Sequence, residues 1–502
     1  MRKIKYYIIV IIGVCLMTSC SDWLTVYPNN AQTTDEFWTD KSDVEGVLAN
    51  GYVELRNAID YIFVWGEVRG PNFVFESTGS NYSAMNLMNI VDITPTNHYA
   101  SWGSMYNIIK MANSVIAYAP GVMDIDETFY EEEKNSLIAE AIWLRSLAYF
   151  YLVRTFKEVP FVEEPYVKDD EDYNIAKSTE YQILERILRD LENNIQYAKE
   201  SFSEGEAYTK GRATKNSFNA LMADIYLWRG WPGDYAKCID KIENIEADPS
   251  VLLISSTAGT DERIETWFSN FAEGNTVESI YEIQFSNPDQ LNSFPTWFNV
   301  QNRFLSSSYA SSVIYDDPDD LRAPYSSSSS IGNGSIRKYI YIDSTGAVRS
   351  NESYQNFIIY RLADLYLMKA EALVMQGEVN YFTIVDEYIN PIRERVEASR
   401  ITAVPATQIG MLELILEERI RELYAEGKSW FDILRIAKRN NWEYHSFLIS
   451  QVEKSDLIGS GNTNVIRAKL SDTFALYMPI SQTEVEANAL LEQNPYYVSI
   501  GL

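Results

Sequence analysis

Residues 361–376 read Arg-Leu-Ala-Asp-Leu-Tyr-Leu-Met-Lys-Ala-Glu-Ala-Leu-Val-Met-Gln, and Gly377 follows. Leu362, Leu365, Met368, Lys369 and Ala372 fall on related turns of a helix, and the glycine is a stop signal. The same spacing recurs at Leu137, Ala141, Leu144, Ala148 and Tyr151, and again at Phe218, Leu221, Ile225 and Trp228. Met411 to Glu426 is a further segment, stopped by Gly427, and Trp430 to Ala437 follows it. Ala148, Ala220, Ala370 and Ala372 let helix axes approach closely. Stacked helical hairpins of tetratricopeptide type need that closeness, although no clean period of about 34 residues can be extracted.

Between the helical blocks, about 247–356, the composition changes to Ser, Asn, Asp and Pro, with a serine run from Ser326 to Ser330. One strand is expected at Ser279 to Phe285 and another at Arg337 to Ile342. An irregular insertion held by a rigid scaffold is a usual place for a ligand site.

The N-terminus sets the compartment. Met1 to Lys5 carries three cations, and Tyr6 to Met17 is an apolar run too short to span a bilayer. Thr18 and Ser19 then precede Cys20, the pattern of a bacterial lipobox in which the thiol is acylated and becomes the new N-terminus. Residues 1–19 are therefore expected to be a signal peptide and 20–40 a lipidated tether. The remaining 41–502 reads as one domain, with a helical scaffold over about 41–246 and 357–502.

The formal net charge is −29, and −32 once Arg2, Lys3 and Lys5 leave with the leader. Such a surface repels phosphate backbones, which makes nucleic acid a poor partner. Aromatic residues make up 13 %, with 35 Tyr and 11 Trp, residues that suit half-exposed binding faces but also pack helical repeats. Three cysteines and two histidines leave little material for zinc sites, His-based triads or disulfides.

Several blocks, in order, resemble the SusD/RagB family. They begin with Cys20-Ser-Asp-Trp-Leu-Thr-Val-Tyr-Pro28, then Trp102-Gly-Ser-Met-Tyr106 with Ala112-Asn113. Ala139-Glu140 to Phe150 follows, then Gly211-Arg-Ala-Thr-Lys215. The later blocks are Arg361 to Ala372, Glu417 to Gly427, Trp430 to Arg435 and Pro479 to Pro495. The resemblance implies a mainly α fold of about four tetratricopeptide-like hairpins with a large loop-rich insertion carrying short strands. It also implies a non-enzymatic, cell-surface nutrient-binding lipoprotein, without cofactor or metal. Such a protein delivers an oligosaccharide to a SusC-like TonB-dependent outer-membrane transporter. Two readings compete with capture: a tetratricopeptide scaffold for outer-membrane assembly, and a lipid-anchored glycoside hydrolase.

Glu371, Arg419, Arg421 and Glu422 lie in helical blocks and read as a buried ion-paired seam rather than catalytic groups. Asp316 to Asp320 lacks the spacing of a calcium loop and reads as a solvated turn. Trp102, Trp143, Trp228 and Trp430 are core by position, and Trp231 is a packing residue between two helices. Trp65, Tyr82, Trp297, Phe298, Tyr309 and Tyr325 fall outside the helical blocks. Sugars are held by flat aromatics flanked by amides or Arg, and two regions supply these. One carries Arg69, Asn81, Tyr82 and Asn86. The other carries Trp297, Phe298, Asn302, Arg303 and Tyr309. For Trp297 and Phe298 the alternative is that they plug the insertion onto the helices.

Overall fold

The computed structural model describes residues 37–75, 80–165, 174–285, 290–294, 297–298, 304–327, 336–340, 354–458 and 463–501. Cys20, the leader, most of the tether, Asn302 and Arg303 lie outside them. The fold is mainly α. In chain order the helices used below are α1 (Lys41–Asn57), α2 (Ile59–Glu67), α3 (Ser80–Asn89), α4 (Gly103–Ile125) and α5 (Glu131–Phe156). Then come α6 (Glu180–Asn194), α7 (Glu206–Gly211), α8 (Lys215–Arg229), α9 (Asp234–Glu246) and α10 (Thr260–Ala272). The last three are α11 (Leu362–Gln376), α12 (Gln408–Glu422) and α13 (Ser429–Ala437).

α1 packs on α4, α4 on α5, α5 on α6, α8 on α9, α9 on α11 and α11 on α12. Four of these six pairs are consecutive in sequence, as in stacked helical hairpins, while α1–α4 and α9–α11 skip intervening helices. α5 starts with Glu131, Glu132 and Glu133 against the positive helix end, and is buried from Ser136 to Phe156 except for Ile138. It is long and apolar enough to cross a membrane, but it is a core helix here. The expected small residues do what close packing asks: Ala148, Ala220, Ala370 and Ala372 are all fully buried. α8 is capped by Thr214, and α8 and α11 end in left-handed Gly230 and Gly377, at φ 61° and 73°.

Among the described residues, three two-stranded antiparallel ribbons punctuate the helices. β1 (Phe73–Phe75) pairs β5 (Phe304–Ser306), β2 (Val159–Pro160) pairs β3 (Lys177–Ser178), and β4 (Ser279–Ile283) pairs β6 (Phe357–Arg361). β4 matches the strand expected at Ser279. The strand expected at Arg337 to Ile342 is corrected: residues 336–340 form a turn, with Tyr339 at φ 63° and Ile340 N–H donating to the Arg337 carbonyl. Nor is the insertion all irregular. It contains α10, whose Ile264, Trp267 and Phe271 form one buried stripe.

α2 crosses the turn between α12 and α13 at very short range. A Cβ at Gly66 would lie 1.8 Å from the carbonyl oxygen of Gly427, itself at φ +74°. No side chain fits at Gly66, and the backbone of Gly427 needs the left-handed region.

Candidate functional site

The two regions expected to bind ligand meet at the β1–β5 ribbon. Phe73 pairs with Ser306, Val74 with Leu305 and Phe75 with Phe304. In an antiparallel pair the C-terminal end of one strand lies beside the N-terminal end of the other. The chain leaving Phe75 toward α3 and the chain arriving at Phe304 therefore emerge at one end of one ribbon.

That root is bolted to the helical scaffold. The Tyr424 hydroxyl bonds to the Asn72 carbonyl at 3.0 Å and to Ser306 Oγ at 2.9 Å. Asn72 Nδ2 donates to Ser429 Oγ at 2.9 Å, and Ser307 N–H donates to the Asn72 carbonyl at 2.9 Å. Asn89, at the end of α3, donates to the Val68 and Gly70 carbonyls and accepts from Ser455 Oγ. Asp456 accepts from Ser308 N–H at 2.6 Å. Every one of these bonds spans distant sequence, so the scaffold holds the loop roots in place.

The individual candidates fare differently. Arg69 is corrected. It is 3 % exposed and donates to the carbonyls of Leu476 and Ala475 at 2.5 and 2.7 Å, with its guanidinium 4.3 Å from the Trp430 ring centre. Burial pulls it down to about 10, and its role is to clamp the C-terminal segment. Trp297 and Phe298 are corrected as ligand platforms too. At 2 % and 0 % exposure they belong to an aromatic core with Phe63, Phe294 and Phe304, at ring separations of 5.4–5.9 Å. They plug the insertion onto α2, as large apolar rings do when a pocket of other rings is offered. Tyr309 is buried as well, with Lys454 Nζ 3.3 Å from its hydroxyl. Asn86 is half-buried, and its Oδ1 has no hydrogen-bond partner among the described residues. Asn81 and Tyr82 lie in α3, with side chains outside the described residues. Of the remaining aromatics, Trp65 is buried and donates to the Tyr99 carbonyl, and Tyr325 packs on Phe268.

The carboxylate–arginine groups form a sealed seam. Arg361, fully buried, bonds to Glu278, Glu422 and Glu426 at 2.6–3.0 Å. Arg322 joins Asp320, Glu418 and Glu422, and Arg395 joins Glu278 and Glu422. Glu371 is held by Arg435 and Arg439. Neighbouring guanidinium groups hold Glu371 and Glu418 down at about 2 against the opposing effect of burial. A general acid needs a raised value and an open approach, and these groups have neither. Asp320 corrects the solvated-turn reading: the turn ends inward on a buried ion pair. Among the described residues no cluster of three or more His, Cys, Asp or Glu could hold a metal.

Among the described residues, two cavities stand out. One, of about 290 Å³, lies by Trp102, Tyr106 and Leu491. The other, of about 630 Å³, runs between α1, α7 and the end of β4, lined among others by Tyr52, Arg56, Tyr208, Arg212 and Phe285. Sequence marked Arg212 only as part of a family block and Phe285 only as the end of a strand; Tyr52 and Arg56 sit in an ordinary helical pattern, and the cleft forms only when α7 packs against β4.

Comparison with known proteins bears on the whole architecture. Residues 189–497 match the family model described as SusD family, and residues 22–227 match one described as "Starch-binding associating with outer membrane". The SusD-like protein P38 of Formosa agariphila is 23 % identical over 484 residues, covering 87 % of this chain and 92 % of that protein. A SusD homolog from Bacteroides thetaiotaomicron superposes with a TM-score of 0.71 at 22 % identity, covering 92 % of this chain and 99 % of the other. A SusD superfamily protein from Bacteroides fragilis gives 0.73 at 21 % identity, over 92 % and 100 %. The overall fold is thus shared with these structures, and with a family model spanning most of its length the chain belongs to the SusD family.

Proposed function

We propose that this protein is a cell-surface capture lipoprotein, anchored through Cys20, that binds a glycan and passes it to a SusC-like TonB-dependent outer-membrane transporter. The observation that carries the reading is the match of residues 22–227 to a family described as starch-binding and associated with the outer membrane. Two further features support it. The strongly acidic balance suits a neutral ligand better than an acidic one. The β1–β5 ribbon joins Phe73–Phe75, which precede α3 with its Asn81, Tyr82 and Asn86, to Phe304–Ser306 of the insertion; Asn302 and Arg303 lie outside the described residues.

A site built from two or three stacking or amide contacts of about 1–2 kcal/mol each gains about 2–6 kcal/mol and binds weakly, with Kd from about 40 μM to tens of mM. Calorimetry against neutral oligosaccharides tests the reading, followed by Tyr82→Ala and Arg303→Ala on the best probe. Loss of binding at an unchanged melting temperature is expected. Release of shorter sugars from the probe would instead identify a hydrolase. Failure of every glycan to bind would remove capture as the function. Purification in mild detergent should bring down a barrel-sized partner, and its repeated absence would count against delivery.

A further inference from the structure

The cleft of about 630 Å³ between α1 and α7 falls in the usual small-molecule range of about 300–1,000 Å³. Its lining shares no residue with the two segments that meet at the β1–β5 ribbon. Its interior is fixed. Glu140, 1 % exposed on α5, accepts two bonds from Arg212 at 2.6 and 2.9 Å and one from the Tyr52 hydroxyl at 2.7 Å. Tyr52 Oη in turn accepts from Ala213 N–H at 3.0 Å, and the Arg212 guanidinium lies 4.4 Å from the Phe202 ring centre. Neither side chain can swing without breaking bonds to a buried carboxylate.

The wall opposite α1 is equally fixed. Gln284 exchanges two amide bonds with Asn275 and accepts a third from Asn356. It lies so close to α7 that a Cβ on Gly211 would meet its Cγ at 2.5 Å. At the rim stand Tyr208, 50 % exposed, and Arg56, which donates to Gln290 at 2.7 Å. Arg56 and Arg212 line the cleft with Glu45 and Glu204, and Arg212 is already paired with the buried Glu140 behind it, so the cleft offers an anion no net positive charge. The remaining surface is mostly aliphatic and aromatic.

A ligand for such a slot needs no net charge, apolar faces for the rings, and hydroxyls that both donate to carboxylates and accept from guanidinium groups. We infer that the cleft between α1 and α7 is a second saccharide site, for a short neutral oligosaccharide, separate from the loops at the β1–β5 ribbon. The inference rests on the glycan reading above and adds a site on the rigid helical stack, where a bound chain could be held at two points.

Calorimetric titration of the mature protein with maltoheptaose, xylohexaose, cellohexaose and mannohexaose tests it. Ala207→Trp fills the slot from an exposed helical position, and Tyr208→Ala removes the rim ring. Both should weaken a binding event at least about tenfold while the melting temperature holds. Tyr82→Ala should leave that event intact. Binding that survives Ala207→Trp and Tyr208→Ala but is lost in Tyr82→Ala overturns this inference alone. Binding of none of the four probes overturns it together with the glycan reading.

Discussion

Phe75 and Phe304 face each other across an antiparallel ribbon, with ring centres 5.3 Å apart. The pair joins the first helical region to the central insertion and sets where two loop segments leave the scaffold. Phe304 also packs on Phe63, Phe73 and Trp297. Phe304→Ala should therefore cost about 3–5 kcal/mol and weaken glycan binding through both segments at once. Phe304→Leu should recover most of the stability. Denaturant unfolding with parallel calorimetry measures both, and full binding in a destabilised Phe304→Ala would detach the ribbon from ligand capture.

Gly66→Ala should be among the most damaging single-methyl changes in the chain, at roughly 3–5 kcal/mol. The new Cβ meets backbone atoms of Gly427, which no rotamer can move. Gly46→Ala is the control. It is exposed on the outer side of α1 with nothing within 4 Å of the added carbon, and should stabilise by about 0.5–1 kcal/mol. Melting temperatures of the two variants should move in opposite directions.

Glu67, at the same crossing, accepts from Gly427 N–H at 2.9 Å and Lys428 N–H at 3.2 Å. Burial outweighs these bonds and raises it from 4.5 to about 8. A carboxyl whose folded value is raised stabilises fully below its unfolded value, and that contribution falls as pH climbs from about 4.5 to about 8. Glu67→Gln keeps an acceptor and removes the titration. Its melting temperature relative to wild type should rise across that window and level off above it; parallel curves would refute the assignment.

Asp364, Glu371 and Glu418 work in the other direction. Lys428 and Arg419 beside Asp364, and arginines beside the two glutamates, hold all three at about 2. Their stabilisation is present above the ordinary carboxylate range and is lost as pH falls toward 2. Arg435→Met should leave Glu371 with Arg439 alone, cost about 3–5 kcal/mol, and move acid unfolding to higher pH. A circular-dichroism acid titration reads the shift.

Cys20→Ala should release the protein from membranes or leave its leader uncut, if anchoring runs through an acylated thiol. Metabolic labelling with a fatty acid is the direct measurement, and an unlabelled wild type would exclude the lipobox reading.

The helical frame was legible because its signals are local. Leu362 to Ala372 repeat at the helical period, Gly377 adopts the left-handed cap, and the charged residues among them pair as a seam. Ligand candidates were less legible, because exposure is a property of the assembled fold. Trp297 and Phe298 sit in a stretch of loop composition, yet Phe63 and Phe294, remote and near in sequence respectively, provide their burial. Arg69 has no local sign that Ala475 and Leu476 will arrive to accept its protons. α10 was missed although Asp261 and Glu262 in its first turn and its stripe of Ile264, Trp267 and Phe271 were there to read.

The seam also orders events in time. Arg322, Lys338 and Arg361 draw counter-charges from Glu418, Glu422 and Glu426, which leave the ribosome 61 to 100 residues after them. At roughly 5–20 residues per second, that is several seconds in which Lys338 lacks Glu426, Arg322 has only Asp320 and Arg361 has only Glu278. Burial of an incompletely paired charge is costly, so this seam closes only once α12 is complete. Fragments ending before Gln408 should therefore leave this seam unformed, and its closure should come late in folding.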